Sequence, residues 1–312
     1  MATSSASVSA PVPDRRRRRR RSPFLVALPF LAPALVAYLI FVIGPMVESV
    51  RLSLFEWTGF VGAPQVFVGI DNYVRIFTQD PVFWRAFGNT VIWIVLSLII
   101  PLTISLVLAV ALNRPLFGRN LFRSMFYIPG VLASIAVANM WRWIYNPNYG
   151  IGASLGEALG WEWLADIQWL GNQDIALYSV FIAFVWQAVG TNMVLFLAGL
   201  QSVQKDHIDA ARIDGANAWQ VFRNVTLPAL RPTMVIVIVL TFIGAIKVFD
   251  LLVGMTGGGP AQMTQVLALW SYQQSITNHE YGPGNAIATV LLVLTLMVVL
   301  PYLAWTARQE DK

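Results

Sequence analysis

Residues 203–232 read VQKDHIDAARIDGANAWQVFRNVTLPALRP and lie between two strongly apolar segments. This placement predicts a polar connection between two membrane spans. Asp206 is expected to cap a short helix over residues 207–214, because its carboxylate can accept the free N–H groups of a first turn. Gly215 is the expected stop, since glycine adopts the left-handed conformation after a helix without a side-chain clash.

A second short helix is predicted after Gly215. Ala218, Val221, Phe222 and Val225 fall at i, i+3, i+4 and i+7, which places four apolar residues on one helical face. Pro228 is expected to end this helix, because proline removes a backbone donor and restricts the residue before it. We call residues 203–232 the helical hairpin. A helical hairpin that lies at the membrane surface without any special function would show the same sequence pattern.

The composition places much of the chain in lipid. Of 312 residues, 57% are hydrophobic and 12% are charged, and the mean hydropathy is +0.62. A soluble domain carries about 25% charged residues, so a soluble core could not bury this much apolar surface. The chain has no cysteine, which excludes disulfides, thiol catalysis and cysteine metal sites.

The sequence predicts an all-α membrane protein with six transmembrane helices. Each apolar segment has about 20 residues, enough to cross the hydrocarbon core. The predicted spans lie near 24–47, 89–112, 124–145, 176–199, 233–254 and 285–306. They form a membrane domain over residues 24–306, flanked by an arginine-rich N-terminus (1–23) and a short C-terminal tail (307–312).

The N-terminal segment is polar before the first span. Residues 1–14 are rich in Ser, Ala and Pro and are predicted to be disordered. The arginine run at 15–21 could bind nucleic acid, but its position directly before a span favours an anchor at anionic lipid headgroups. A signal peptide is the alternative for this region. The apolar run 24–47 is too long for one and lacks a small-residue cleavage signal, so we interpret it as an uncleaved span.

The distribution of basic residues predicts the orientation. The connections 113–123 and 200–232 contain Arg or Lys, whereas 146–175 and 255–284 contain neither, and the connection 48–88 contains only Arg51, Arg75 and Arg85. Basic residues are enriched in cytoplasmic loops. Both termini and the helical hairpin are therefore expected on the cytoplasmic side.

Four polar residues inside predicted spans are candidates for the lining of a translocation path. Lys247 and Asp250 stand at i and i+3 and are expected on one helix face, where they either neutralise each other or line the path. Gln187 and Asn192 carry uncharged amides among apolar neighbours. They either contact a substrate or hydrogen-bond a neighbouring helix.

The helical hairpin resembles the EAA loop of permease subunits of ATP-binding-cassette importers. The matching positions are Asp209, Ala210, Ala211, Gly215, Val225, Leu227 and Pro228. In that family the loop is the coupling helix, which docks into a cleft on a cytoplasmic ATPase. The family usually has Glu at the first position, and Asp209 keeps the charge with a shorter side chain.

Other stretches resemble the carbohydrate-uptake branch, which includes maltose, glycerol-phosphate and multiple-sugar permeases. They are residues 68–73, 123–129, 249–260 and 282–288. In this comparison the substrate pocket lies between the spans equivalent to the fourth and fifth, which ranks Gln187 and Asn192 first as sugar contacts and Lys247 next. The connection 48–88 is expected to pack as a lid on the span ends.

The resemblance also implies a set of partners. It implies a second, similar permease, two copies of an ATPase that binds ATP and Mg²⁺, and an extracytoplasmic sugar-binding protein. It places the assembly in a prokaryotic cell membrane, with no cofactor in this chain.

Nothing in the sequence indicates an enzyme. The two histidines, His207 and His279, belong to no Ser-His-Asp set or metal-spaced cluster, and the glycine run at 257–259 lacks the Lys-Ser/Thr of a phosphate loop. No catalytic or metal-binding residue is therefore expected. The alternative function is a self-sufficient secondary transporter or channel that uses Lys247 and Asp250. Such folds usually contain internal repeats, and we find none.

Overall fold

The computed structural model describes residues 23–310, and most of this part of the chain is helical. The segments predicted as disordered (1–14) and as an arginine-rich anchor (15–21) lie outside the described residues. The chain divides after Glu48 into two units.

The first unit contains the first predicted span. Helix α1 (Pro23–Tyr38) continues through a π-helical turn (Leu39–Ile43) into α2 (Gly44–Leu52). The apolar stretch Pro29–Leu52 has 24 residues, enough to cross the hydrocarbon core. This stretch overlaps the span predicted at 24–47.

Three helices of the second unit are also long and apolar enough to cross a membrane. They are α4 (Pro81–Leu112), α9 (Ala176–Gln201) and α16 (Tyr281–Glu310). They overlap the predicted second, fourth and sixth spans. The C-terminal tail predicted from residue 307 begins inside α16, so the helix extends further than the hydropathy pattern indicated.

The segment predicted as the third span is not one straight helix. Helix α5 (Arg119–Val131) and helix α6 (Ser134–Ile144) meet at a bend of 102°. Helix α5 continues for two residues beyond Pro129 and ends at Val131. The two residues between the helices, Leu132 and Ala133, are extended.

The segment predicted as the fifth span is also broken. Helix α13 (Arg231–Ile246) ends before Lys247, and the short helix α14 (Asp250–Met255) follows. Before α13, the chain bends by 69° where the helical hairpin ends. The described chain thus has four continuous candidate spans, or up to six if each bent pair is counted as one span.

The short elements of the second unit lie in the connections. They are β1 (Phe55–Glu56), β2 (Val66–Phe67), α3 (Asp71–Thr78), α7 (Ile151–Leu159), α8 (Glu162–Ala165), α10 (Lys205–Ile213), α11 (Ala218–Val221), α12 (Leu227–Ala229) and α15 (Leu267–Tyr272). The two strands form an antiparallel hairpin. Arg75 of α3 forms a partly exposed ion pair at 2.9 Å with Glu280, which directly precedes α16.

Helix α4 lies at the centre of the second unit. It contributes a buried residue to each of three apolar clusters: Phe83, Trp93 and Leu102. It packs along α9, and α5 packs on α9 from another side. Small residues permit this second contact. A Cβ atom on Gly190 would overlap the backbone carbonyl oxygen of Phe126 in α5.

We predict that Gly190→Ala destabilises the protein. The added methyl group meets backbone rather than a flexible side chain, so α5 and α9 must separate, at a cost of about 1–3 kcal/mol. The measurement is the unfolding temperature in detergent. Gly244→Ala in α13 is the matched control, because its Cβ would have no atom within 4 Å. Equal unfolding temperatures for the two variants would contradict the prediction.

Candidate functional site

The first arm of the helical hairpin is α10, and its C-terminus is closed by backbone hydrogen bonds. Gly215 has φ +84°, the N–H of Gly215 donates to Arg212 O, and the N–H of Ala216 donates to Ala211 O, both at 3.0 Å. This is a Schellman motif, which satisfies carbonyls that a helix end leaves free. The prediction that Gly215 ends the helix is confirmed.

The start of α10 differs from the prediction. The helix begins at Lys205, one residue before Asp206, and the capping position is held by Gln204, whose side chain makes no capping hydrogen bond. The prediction that Asp206 caps the helix is wrong. Asp206 instead lies in the first turn, where a carboxylate favours the positive end of the helix dipole.

The second arm begins with a reciprocal cap that the sequence analysis missed. Asn217 Oδ1 accepts from the N–H of Gln220 at 2.9 Å, and Gln220 Oε1 accepts from the N–H of Asn217 at 2.8 Å. The signal was present, because an N-cap residue followed three positions later by Gln indicates a capping box. Gly215 and this cap together fix the turn between the two arms.

Pro228 does not end the second arm, contrary to the prediction. Helix α11 passes into a π-helical turn (Phe222–Thr226), and the N–H of Leu227 donates to Phe222 O. The wider turn shifts the hydrogen-bond register before Pro228, so the helical path continues through α12 to Ala229. The 69° bend follows, before α13.

The exposed surface of the hairpin contains both charged and apolar side chains. Asp209 and Ala210 are exposed, and the Asp209 carboxylate lies 3.5 Å from the Arg212 guanidinium. Two large apolar side chains that the sequence analysis did not single out are also exposed, Ile213 at 86% and Trp219 at 65%. The Trp219 ring lies beside the ring of Phe222, with their centroids 5.6 Å apart.

The predicted coupling residues are divided between the two arms. Asp209, Ala210 and Ala211 lie on α10, and Gly215 lies directly after it. Leu227 and Pro228 lie in α12, the last part of the second arm. The ends of α4 and α9 and both arms line one cavity of about 250 Å³. The hairpin therefore lies against the two helices at the centre of the second unit.

Gln187 stabilises the break between α5 and α6. Its Nε2 donates to Leu132 O at 2.9 Å and approaches Ser134 Oγ at 3.4 Å. These partners lie in the extended segment and at the start of α6. Gln187 therefore supplies a donor to backbone that no helix satisfies.

Asn192 joins α9 to α13. Its side chain is buried, and Nδ2 donates to Thr241 Oγ1 at 3.3 Å. The alternative of helix–helix hydrogen bonding thus applies to both amides in this structure. Their role as substrate contacts stays a prediction.

Lys247 and Asp250 do not share a helix face. Lys247 caps the end of α13, and Asp250 begins α14 after a break at Val248 and Phe249. Both residues are exposed. Within the described residues neither forms an ion pair, so the expected pairing between them is not present.

Among residues 23–310, no three His, Asp or Glu side chains are grouped so that they could hold a metal ion. His207 is hydrogen-bonded to Gln204 Oε1, and the His279 ring packs on Phe60. The glycine run at 257–259 belongs to a connection after α14. Thr264 Oγ1 donates to Gly259 O within this connection at 2.7 Å.

Comparison with known proteins gives a consistent family. Residues 102–306 match the family described as binding-protein-dependent transport system inner membrane component. The chain is 35% identical to a probable ABC transporter permease protein of Pyrococcus horikoshii, covering 91% of this chain and 96% of the relative. It is 33% identical to the trehalose/maltose transport system permease protein MalF of Thermococcus litoralis, covering 88% of this chain and 90% of the relative.

A solved structure shares the fold. It is a bacterial ABC transporter involved in the import of the acidic polysaccharide alginate, with a TM-score of 0.77 and 23% identity over 91% of this chain and 96% of that chain. The same kind of transporter has been solved in complex with its alginate pentasaccharide-bound periplasmic protein. The chain therefore belongs to the family of binding-protein-dependent transport system inner membrane components, and its resemblance to the carbohydrate-uptake permeases of ABC importers is confirmed.

Proposed function

We propose that this chain forms the translocation path of an ATP-driven sugar importer and couples it to a cytoplasmic ATPase through residues 203–232. The observation that carries the proposal is the exposed helical hairpin. It is polar, it has a fixed turn, and it stands between two apolar helices, α9 and α13. Its exposed Ile213 and Trp219 offer apolar contacts to a partner.

The hairpin transmits motion because it is a rigid unit. The Gly215 turn and the Asn217 cap hold α10 against α11, and both arms lie beside the ends of α4 and α9. When ATP closes the two ATPase subunits, the hairpin moves with them, and the bundle opens toward the opposite side. The ATPase stabilises one state of the bundle by contacting the hairpin differently in the two states.

The proposed partners follow from the same assembly. They are a second, similar permease, an ATPase dimer that binds ATP and Mg²⁺, an extracytoplasmic sugar-binding protein and the lipid bilayer. The relatives named for trehalose, maltose and alginate transport support a carbohydrate as substrate. ATP hydrolysis is assigned to the ATPase, and this chain supplies no cofactor site.

The proposed orientation puts the hairpin and both termini in the cytoplasm of a prokaryotic cell. The absence of Lys and Arg from residues 146–175 and 255–284 supports it. The membrane domain is assigned to residues 24–306, with 1–23 and 307–312 as cytoplasmic flanks.

Gln187, Asn192, Lys247 and Asp250 are proposed to line the sugar path. Amide groups donate and accept hydrogen bonds without charge, which suits sugar hydroxyls. Lys247 and Asp250 are exposed at the break between α13 and α14, where each is free to contact a substrate. A self-sufficient transporter driven by an ion gradient is the competing function.

We predict that Asp209→Lys combined with Gly215→Ala uncouples the importer. The first change reverses the charge on α10, and the second strains a residue at φ +84°. The chain is expressed with its genomic neighbours, purified and assayed for sugar-stimulated ATPase activity. We expect a loss of about tenfold, within the range of coupling free energies between linked sites.

The matched control is Glu157→Lys combined with Gly160→Ala. Glu157 is an exposed acid on α7, and Gly160 is a left-handed glycine with φ +68° and no atom near its Cβ position. This control makes the same two kinds of substitution, an acid to Lys and a left-handed Gly to Ala, outside the hairpin. It should retain sugar-stimulated ATPase activity. If no ATPase co-purifies and sugar uptake survives the hairpin changes, the proposal is overturned in favour of an ion-driven transporter.

A second prediction separates the two roles of Asn192. Thr241→Val removes the same interhelical hydrogen bond as Asn192→Ala but leaves the amide in place. If Asn192 contacts the sugar, Asn192→Ala should lower uptake about fivefold more than Thr241→Val, the equivalent of one lost hydrogen bond. If the Asn192→Ala and Thr241→Val variants take up sugar equally in proteoliposomes, Asn192 serves helix packing alone.

A further inference from the structure

Two buried polar groups on α4 have no hydrogen-bond partner. The Trp93 side chain is 1% exposed and Ser97 is 0% exposed, yet neither the Trp93 indole Nε1 nor Ser97 Oγ forms a hydrogen bond. Buried polar groups in native proteins are nearly always paired, so each unpaired one requires an explanation.

Other buried hydroxyl groups on the same helix are paired. Thr90 and Ser105 donate to the carbonyl oxygens of Ala86 and Pro101, four residues earlier. Ser97 could make the same bond to its own helix but does not. The indole N–H of the buried Trp270 likewise donates to Asp80 Oδ2 at 2.7 Å.

One of the unpaired groups lies in an aromatic cluster. Trp93 and Ser97 are one helical turn apart on α4, and both are buried. The Trp93 ring lies 5.1 Å from the ring of Phe181 and 5.3 Å from that of Phe184, both on α9. The Nε1 of Trp141 on α6, in the same cluster, is a third buried donor without a partner.

The chemistry of this cluster fits a neutral carbohydrate. Aromatic rings offer flat apolar faces, and the indole N–H and the hydroxyl offer hydrogen bonds at the ring edges. A sugar has the complementary arrangement, with apolar C–H faces and a rim of hydroxyl groups.

We propose that Trp93 and Ser97 form a sugar-contacting subsite on α4, assisted by Trp141 of α6. This inference rests on the proposed function and adds a wall of the path that lies apart from Gln187 and Asn192. In the state described here the subsite is closed, because both side chains are buried. When the bundle opens, the three unpaired groups become available to sugar hydroxyls.

The test uses two variants, each with a matched control at a buried position. Ser97→Ala removes the unpaired hydroxyl, and Ser105→Ala removes one that bonds to Pro101 O and Val189 O. Trp93→Phe removes an unpaired N–H and keeps an aromatic ring, and Trp270→Phe in α15 does the same where the N–H is paired. Each complex, with its ATPase and binding protein, is reconstituted in proteoliposomes.

Uptake is measured for a panel of neutral mono-, di- and trisaccharides, from glucose to raffinose. We expect Ser97→Ala and Trp93→Phe each to lower uptake of the transported sugar about fivefold per ATP hydrolysed. They should also change the ratio of uptake between two transported sugars, which a purely structural role would not alter. The unfolding temperature of Ser97→Ala should not fall, whereas that of Ser105→Ala should.

Two outcomes overturn the inference in different ways. If the wild-type complex transports a sugar and both α4 variants keep its rate and selectivity, the subsite is disproved and the proposed function stands. If the wild-type complex transports no sugar of the panel, the proposed function fails and the inference fails with it.

Discussion

The structure depends on one constraint, that backbone groups in a lipid environment must find their hydrogen-bond partners inside the protein. Where α5 gives way to α6, the extended residues Leu132 and Ala133 interrupt the helical ladder. Gln187 from α9 supplies the donor that Leu132 O requires. At the end of α4, Arg123 performs the same task by donating to Leu112 O at 2.6 Å. Broken helices are tolerated here because neighbouring side chains satisfy the breaks.

The same constraint separates the rigid parts of the molecule from those that can rearrange. Gly190 brings α5 into backbone contact with α9, so these helices form one unit. The helical hairpin is fixed by the Gly215 turn and the Asn217 cap. Outside these rigid parts, the chain changes direction before α6, before α13 and after α13. A force applied to the hairpin is therefore expected to act at bends rather than to deform packed helices.

The proposed path combines amide, hydroxyl and aromatic groups with the charged side chains of Lys247 and Asp250. Gln187 and Asn192 are engaged in hydrogen bonds between elements, whereas Trp93 and Ser97 are buried without partners. Gln187 and Asn192 can exchange an internal hydrogen bond for one to a sugar at little net cost, because both states are paired, whereas Trp93 and Ser97 would gain a partner. Lys247 and Asp250, at the end of α13 and the start of α14, are exposed and are separated by a break in the helix.

The sequence by itself determined the membrane class, the positions of the long apolar helices and the turn at Gly215, because hydropathy, basic-residue distribution and glycine conformation act over short distances along the chain. It did not determine the breaks after Val131 and Ile246 or the continuation of the helix through Pro228. Those features depend on partners far away in sequence: Gln187 and Leu132 are 55 residues apart. Only the tertiary structure decided which polar groups are paired, since pairing requires both partners in place.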